Sequence, residues 1–207
     1  MSDFYQAFNN YILPNEGYFA NLTGDPGGET YSGIARNLNP NWNGWPIVDS
    51  YVNAKGGIDN IKNNERIPAA DSLVADFYLN LWKQNQMDKI VNPDVANIIF
   101  DFIVNSGSGI AVKHVQRILG VVDDGVIGQK TLSAINTYNP QLLFNTIKDD
   151  RASFYTQLAS KSENYARFLQ GWLTRLGTFD FNTATGIGVG LFLIIGIVIT
   201  FLTLKNE

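Results

Sequence analysis

The 207-residue chain has no cysteine, so neither disulfides nor thiolate chemistry support its fold or activity. It has one histidine, His114, and a single imidazole does not make a zinc centre. Lysines and arginines are never clustered beyond adjacent pairs, and the net charge is -4. That excludes nucleic acid as the principal partner. No His-Glu-x-x-His, phosphate loop or nucleotide fingerprint occurs. Asp123-Asp124-Gly125 lacks the regular oxygen spacing of a calcium loop and reads as a turn. Neither a metal nor an organic cofactor is expected. The opening segment MSDFYQAFNNYILP has no basic region and no long apolar run, so it does not resemble a secretory signal.

A long uncharged run is absent until the end. Residues 186–204 read GIGVGLFLIIGIVITFLTL. As a helix this stretch reaches roughly 28 Å, close to the hydrocarbon core of about 30 Å. It is therefore expected to be a transmembrane helix, with 177–185 as a short connector and a single-pass C-terminal anchor as the localisation. Gly186 and Gly190 form a G-x-x-x-G pair, which suits either helix contact or lipid exposure.

What precedes the run reads as mostly helical. Phe4, Phe8, Tyr11 and Ile12 form a helical stripe, and Pro14 kinks or ends that helix just before Glu16. The stretch NLTGDPGGETYSG at 21–33 is dense in turn residues and reads as an irregular or hairpin segment. Residues 37–45 read as a surface loop and 46–66 as short helices. Helices are then expected over 69–85, from Pro93 to about Val104, over 109–119 and 128–137, and from Pro140 to about Leu176. Proline suits a first helical turn. A break is expected near Ser162–Asn164.

Glu16 follows an aromatic, apolar helix, where partial desolvation would favour a protonated carboxyl. Asp25 lies in a turn, where it stays wet and ionised. A protonated acid facing a carboxylate is what glycoside cleavage requires: one gives a proton to the leaving oxygen, the other steadies the developing positive charge or directs water. Thr30 would help hold that water. On spacing alone an ordinary structural use of these residues fits better, since Asp-Pro-Gly-Gly also makes plain turns.

The pattern NEGY at 15–18 followed by DPGGETYSGIA at 25–35 resembles the signature of glycoside hydrolase family 108, the phage and bacterial N-acetylmuramidases. The similarity continues through FYLNLW at 77–82, VANIIFDFIVNSG at 95–107, VQRILGVVDDGVIGQKTL at 115–132 and RFLQGWLTRLG at 167–177. It implies a mainly α, α+β lysozyme-like fold with a small irregular or β-hairpin lobe. It implies a catalytic region over 1–107 and a helical peptidoglycan-binding region packed on it over 108–176. It also implies Glu16 as general acid, with Asp25 and Thr30 completing a triad similar to that of phage lysozymes. The chain departs from the family by having Gly17-Tyr18 after Glu16 in place of two glycines, and Tyr31 where asparagine is often found.

Tyr31, Trp42 and Trp45 are candidates for stacking on sugar rings; the two tryptophans serve equally as loop anchors. Asp101 and Asn105 share a helical face. They fit either structural hydrogen bonding or the lining of a sugar cleft. The expected activity is that of a membrane-anchored muramidase cutting the β-1,4 bond between N-acetylmuramic acid and N-acetylglucosamine, in a viral setting, for local wall opening. Its expected partners are peptidoglycan, a lipid membrane through 186–204, and viral structural proteins. The alternative is an inactive, membrane-anchored peptidoglycan-binding or virion structural protein.

Overall fold

Pro14 has no N–H to give the preceding turn, and its ring crowds the carbonyl four residues back. The first helical segment accommodates it by widening. α1 (Phe4–Ala7) opens into a π-helical turn (Phe8–Ile12), then tightens into α2 (Leu13–Glu16), in whose first turn Pro14 sits. Gly17 ends the helix at φ +64, a backbone region glycine enters without steric cost. This is a computed structural model and it describes residues 3–21 and 27–181. Among the described residues the chain divides into two compact units, one within residues 8–81 and the other of residues 3–7 with 82–181.

In the 8–81 unit a small antiparallel sheet runs in the order β1-β2-β3, with β1 at Phe19–Ala20, β2 at Thr30–Tyr31 and β3 at Ile34–Ala35. Tyr31 pairs with Phe19 on one side and Ile34 on the other. Ser32 and Gly33 form the two-residue turn between β2 and β3, at φ +46 and +78. Positive φ at both positions is the pattern of a type I′ hairpin turn. The hairpin thus starts later than the sequence suggested, at Thr30. α3 (Trp45–Ala54) begins with Trp45 and has Pro46 in its first turn. α4 (Asp71–Gln84) follows a short 3-10 turn at Pro68–Ala70, and the boundary between the units falls within it. Ile12, Phe19, Tyr31, Ile34, Val48, Ile67, Val74 and Tyr78 are buried.

The other unit is built on α5 (Pro93–Ser106). Asn92 caps it by accepting from the Val95 N–H at 3.1 Å, and Pro93 occupies the first turn. Every residue from Val95 to Ile103 is buried. α5 packs against α6 (Ser108–Leu119) and α8 (Pro140–Ala159), and α10 (Leu169–Gly177) packs against α8. Asn139 and Pro140 repeat the Asn-Pro start, with Asn139 accepting from the Leu142 N–H. α7 (Gln129–Thr137) and the short α9 (Glu163–Ala166) complete the unit, Ser162 capping α9. His114 on α6 meets Asp150 on α8 at 2.6 Å, between Phe102 and Phe154. The Asp123-Asp124-Gly125 segment is a turn held by Gln116, whose amide donates to Asp124 at 2.7 Å and accepts from the Gly125 N–H at 2.8 Å. After α10, Phe179 is buried and its carbonyl accepts from Lys148.

The expected fold class needs one correction. Among the described residues no helix is long and apolar enough to cross a membrane. The apolar α5 has 14 residues, short of the roughly 20 a spanning helix needs. The 20-residue α8 carries Lys148, Asp149, Asp150 and Arg151. Among the described residues the fold is mainly helical with a three-stranded sheet and holds no transmembrane helix. The single-pass membrane localisation is corrected with it. The run 186–204 lies outside the described residues.

Candidate active site

Glu16 is the last residue of α2 and is half-buried. The tight β2–β3 turn comes up against its carboxyl. A Cβ placed on Gly33 would lie 2.4 Å from Glu16 Oε2 and 2.4 Å from the Tyr78 hydroxyl, so any side chain there would displace them. Tyr78 comes from α4, is 2 % exposed, and donates its hydroxyl proton to the Ser32 carbonyl at 2.8 Å. Helix end, hairpin turn and α4 thus meet at one carboxylic acid. Sequence reasoning missed Tyr78 and Gly33. The signal was present in the turn Tyr31-Ser32-Gly33-Ile34, but Tyr78 joins it from 46 residues away.

Thr30 is 2 % exposed and its hydroxyl donates to the Gly28 carbonyl at 3.3 Å. The neighbouring backbone continues the pairing of β2 with β3, through Arg36 N–H to Glu29 at 2.8 Å and Asn37 N–H to Gly27 at 3.1 Å. Asp25 lies outside the described residues.

Tyr31 is fully buried, which leaves no ring face for a sugar. Its hydroxyl donates to the Ile67 carbonyl at 3.1 Å and accepts from the Ile67 N–H at 2.8 Å. Burial pushes its phenol up to about 12. Trp45 is also buried. Its indole N–H donates to the Asn39 carbonyl at 2.7 Å, and the Arg36 guanidinium lies 4.1 Å from its ring centroid. It anchors the 39–45 loop. Trp42 is half-buried, stacks on Tyr31 at 6.2 Å between centroids, and donates to the Leu73 carbonyl. With Leu38, Asn39, Pro40, Asn41 and Phe77 it lines an open pocket of about 360 Å³. Of the three aromatics, Trp42 alone lines this pocket.

Asp101 and Asn105 belong to the helical unit. Asp101 is 0 % exposed, and its two oxygens accept from Arg151 at 2.8 Å and Arg175 at 2.6 Å. Asn105 accepts from the Tyr155 hydroxyl at 2.9 Å, and Tyr155 in turn accepts from Arg151. Asp101 therefore ties α5 to α8 and α10 and offers no surface to a sugar. Among the described residues no group of three or more His, Cys, Asp or Glu is placed to hold a metal.

The model of the Glycosyl hydrolase 108 family matches residues 9–107, which contain the whole of this site. Residues 9–107 form a glycosyl hydrolase family 108 region. The chain is a glycoside hydrolase that acts on peptidoglycan. Residues 110–177 match a second family model, described as Predicted Peptidoglycan domain. These two matches divide the chain just after α5. Among solved structures it is similar to Brucella abortus SagA, with a TM-score of 0.58 and 22 % identity. That match covers 88 % of this chain and 98 % of the other, and shows a shared fold. Among curated proteins, nothing matches the chain.

Proposed function

We propose that this family 108 hydrolase is an N-acetylmuramidase. It cleaves the β-1,4 bond between N-acetylmuramic acid and N-acetylglucosamine, with Glu16 as general acid. The observation that carries this reading is the seat of Glu16: a half-buried carboxyl at a helix end, enclosed by the Gly33 turn and Tyr78. Glu16 gives its proton to the leaving glycosidic oxygen as the C–O bond breaks. Asp25 steadies the oxocarbenium-like sugar or directs the incoming water, a role resting on its motif resemblance. Thr30, whose hydroxyl donates to the Gly28 carbonyl, assists with that water in this reading. Residues 1–107 carry the chemistry in this reading and 108–176 hold the wall polymer, in line with the two family models.

The test is digestion of purified peptidoglycan by the full chain, following reducing ends and product masses. The reading expects new reducing ends on N-acetylmuramic acid. General acid catalysis contributes about 10²–10⁴-fold, so Glu16→Gln is expected to lose at least a hundred-fold. Reducing ends on N-acetylglucosamine would overturn the bond assignment. Undiminished release by Glu16→Gln would overturn the role given to Glu16.

A further inference from the structure

Glu16, Gly17 and Tyr18 lead from the candidate acid to an exposed cation. Two residues span at most about 7 Å, so Tyr18 stays beside the acid. Its backbone is clamped on both sides. The Tyr18 N–H donates to the Asn64 side-chain oxygen at 2.7 Å, and its carbonyl accepts from the Ser32 N–H at 3.1 Å. Asn64 and Glu65 also pair with Phe19 through backbone bonds of 2.7 and 3.3 Å. The segment 64–66 therefore lies alongside β1, and the Arg66 guanidinium stands 5.8 Å from the Tyr18 ring centroid.

Arg66 is held in place while open to solvent. Its Nε and Nη2 both donate to Asp71 Oδ2, at 3.1 and 2.5 Å. A guanidinium has five N–H donors in a planar fork, and Asp71 takes two of them. Residues 8–81 contain two arginines. Arg36 is met by two carboxylates, Glu29 and Asp49, and its side chain is 29 % exposed. Arg66 meets one and is 57 % exposed. A fixed fork matches a carboxylate, which it grips with parallel bonds. Fixing it before binding cuts the cost of ordering it. The wall polymer supplies the matching group. Its N-acetyl sugar backbone is neutral, and its carboxylates lie on the lactyl group of N-acetylmuramic acid or on the peptide stem that the lactyl group carries.

We propose that Arg66 is a specificity-determining residue that binds a carboxylate of the N-acetylmuramic acid unit or its peptide stem, beside the bond that Glu16 protonates. Tyr18 and Asp71 hold its guanidinium in position. The inference rests on the muramidase reading and on Glu16 as the acid.

The experiment measures initial rates against substrate concentration for the full chain and Arg66→Ala. One substrate is purified peptidoglycan. The second is the same material with its carboxyl groups converted to amides. The third is glycan stripped of its stems by an amidase, so that each lactyl group ends in a carboxylate. A hydrogen bond to a charged group corresponds to about ten-fold or more in affinity. Arg66→Ala is expected to raise KM about ten-fold on peptidoglycan with kcat nearly unchanged, the pattern of lost ground-state binding. On the amidated wall the wild-type chain is expected to show that raised KM already, and Arg66→Ala to add nothing. Arg66→Lys keeps the charge without the fork and is expected to recover only part of the binding. On the stripped strands, a retained effect of Arg66→Ala assigns the lactyl carboxylate, and a vanished effect assigns the stem.

An Arg66→Ala effect of equal size on native and amidated walls would overturn the inference, because Arg66 would then not read carboxylates. An unchanged KM on peptidoglycan, or a loss in kcat alone, would overturn it as well. So would a wild-type chain indifferent to amidation, a result that needs no variant to fold. Glu16→Gln keeps the two readings apart. If that variant cuts as well as wild type, the acid assignment fails and takes the placement of Arg66 with it. If it is inactive while Arg66→Ala is normal on peptidoglycan, only this inference fails.

Discussion

Arg151 donates to Asp101 at 2.8 Å in a place where neither side chain has any exposed surface. Arg175 reaches the other carboxylate oxygen, and the Arg151 guanidinium also lies 4.8 Å from the Phe102 ring centroid. Two cations therefore meet at one buried anion. Removing one partner of a buried pair costs about 3–5 kcal/mol, because the other charge is left uncompensated in a poor solvent. Asp101→Asn is expected to lower unfolding stability by roughly that amount, read as a lower urea midpoint. A variant of normal stability that instead bound peptidoglycan poorly would return Asp101 to the sugar cleft.

Tyr31 holds both polar groups of one peptide residue. It takes the Ile67 N–H and gives its proton to the Ile67 carbonyl. In Tyr31→Phe both groups lose this partner inside the core. An unsatisfied buried group costs about 1–3 kcal/mol, so the variant is expected to be less stable by roughly 2 kcal/mol or more. Calorimetric unfolding measures it. If stability is unchanged while KM rises, Tyr31 contacts substrate after all.

Gly33 combines a left-handed backbone with a close approach from two oxygens. Alanine at such a φ costs roughly 1–2 kcal/mol by itself. Its Cβ would also push Glu16 and Tyr78 aside, and a displacement near 1 Å at reacting groups costs on the order of 10²-fold. Gly33→Ala is thus expected to lose about a hundred-fold in kcat/KM. Gly107 is the matching control, with φ +82 and nothing within 4 Å of its Cβ position. Gly107→Ala carries the strain without the collision and should keep its activity per folded molecule. Equal losses in both would show that backbone strain alone explains the effect.

These residues show where local pattern was informative and where it stopped. The helix starts at Pro93 and Pro140 were readable, because a first-turn proline acts within one helical turn. The π-helical turn at Phe8–Ile12 was not, since an apolar stripe looks alike whether the helix is regular or widened ahead of a proline. Tyr31 seemed a sugar contact because it sits in a turn-rich stretch beside the catalytic motif. Its partner lies 36 residues on. Asp101 finds its arginines 50 and 74 residues away. Tyr78 meets the hairpin across 46. Short-range periodicity carries no information about such pairings, so Glu16 was singled out by its motif while the groups enclosing it were not.

Glu65 links this lobe to pH. Its carboxylate accepts from the Tyr51 hydroxyl at 2.6 Å and the Lys62 N–H at 2.8 Å, with the Lys55 ammonium 3.1 Å away. These contacts, the Tyr51 bond foremost, hold it down to about 2 from an ordinary 4.5. The same segment pairs with β1, Glu65 accepting from the Phe19 N–H and Asn64 donating to the Phe19 carbonyl. A depressed carboxyl stabilises the fold fully above its unfolded value, and that contribution is lost as pH falls toward its folded value. The melting temperature should therefore decline between about pH 5 and pH 2, and Glu65→Gln should decline less steeply over that window. The two curves, measured by thermal unfolding at stepped pH, are expected to converge toward the acid end. Parallel curves would show that the Tyr51–Glu65–Lys55 cluster adds nothing to acid sensitivity.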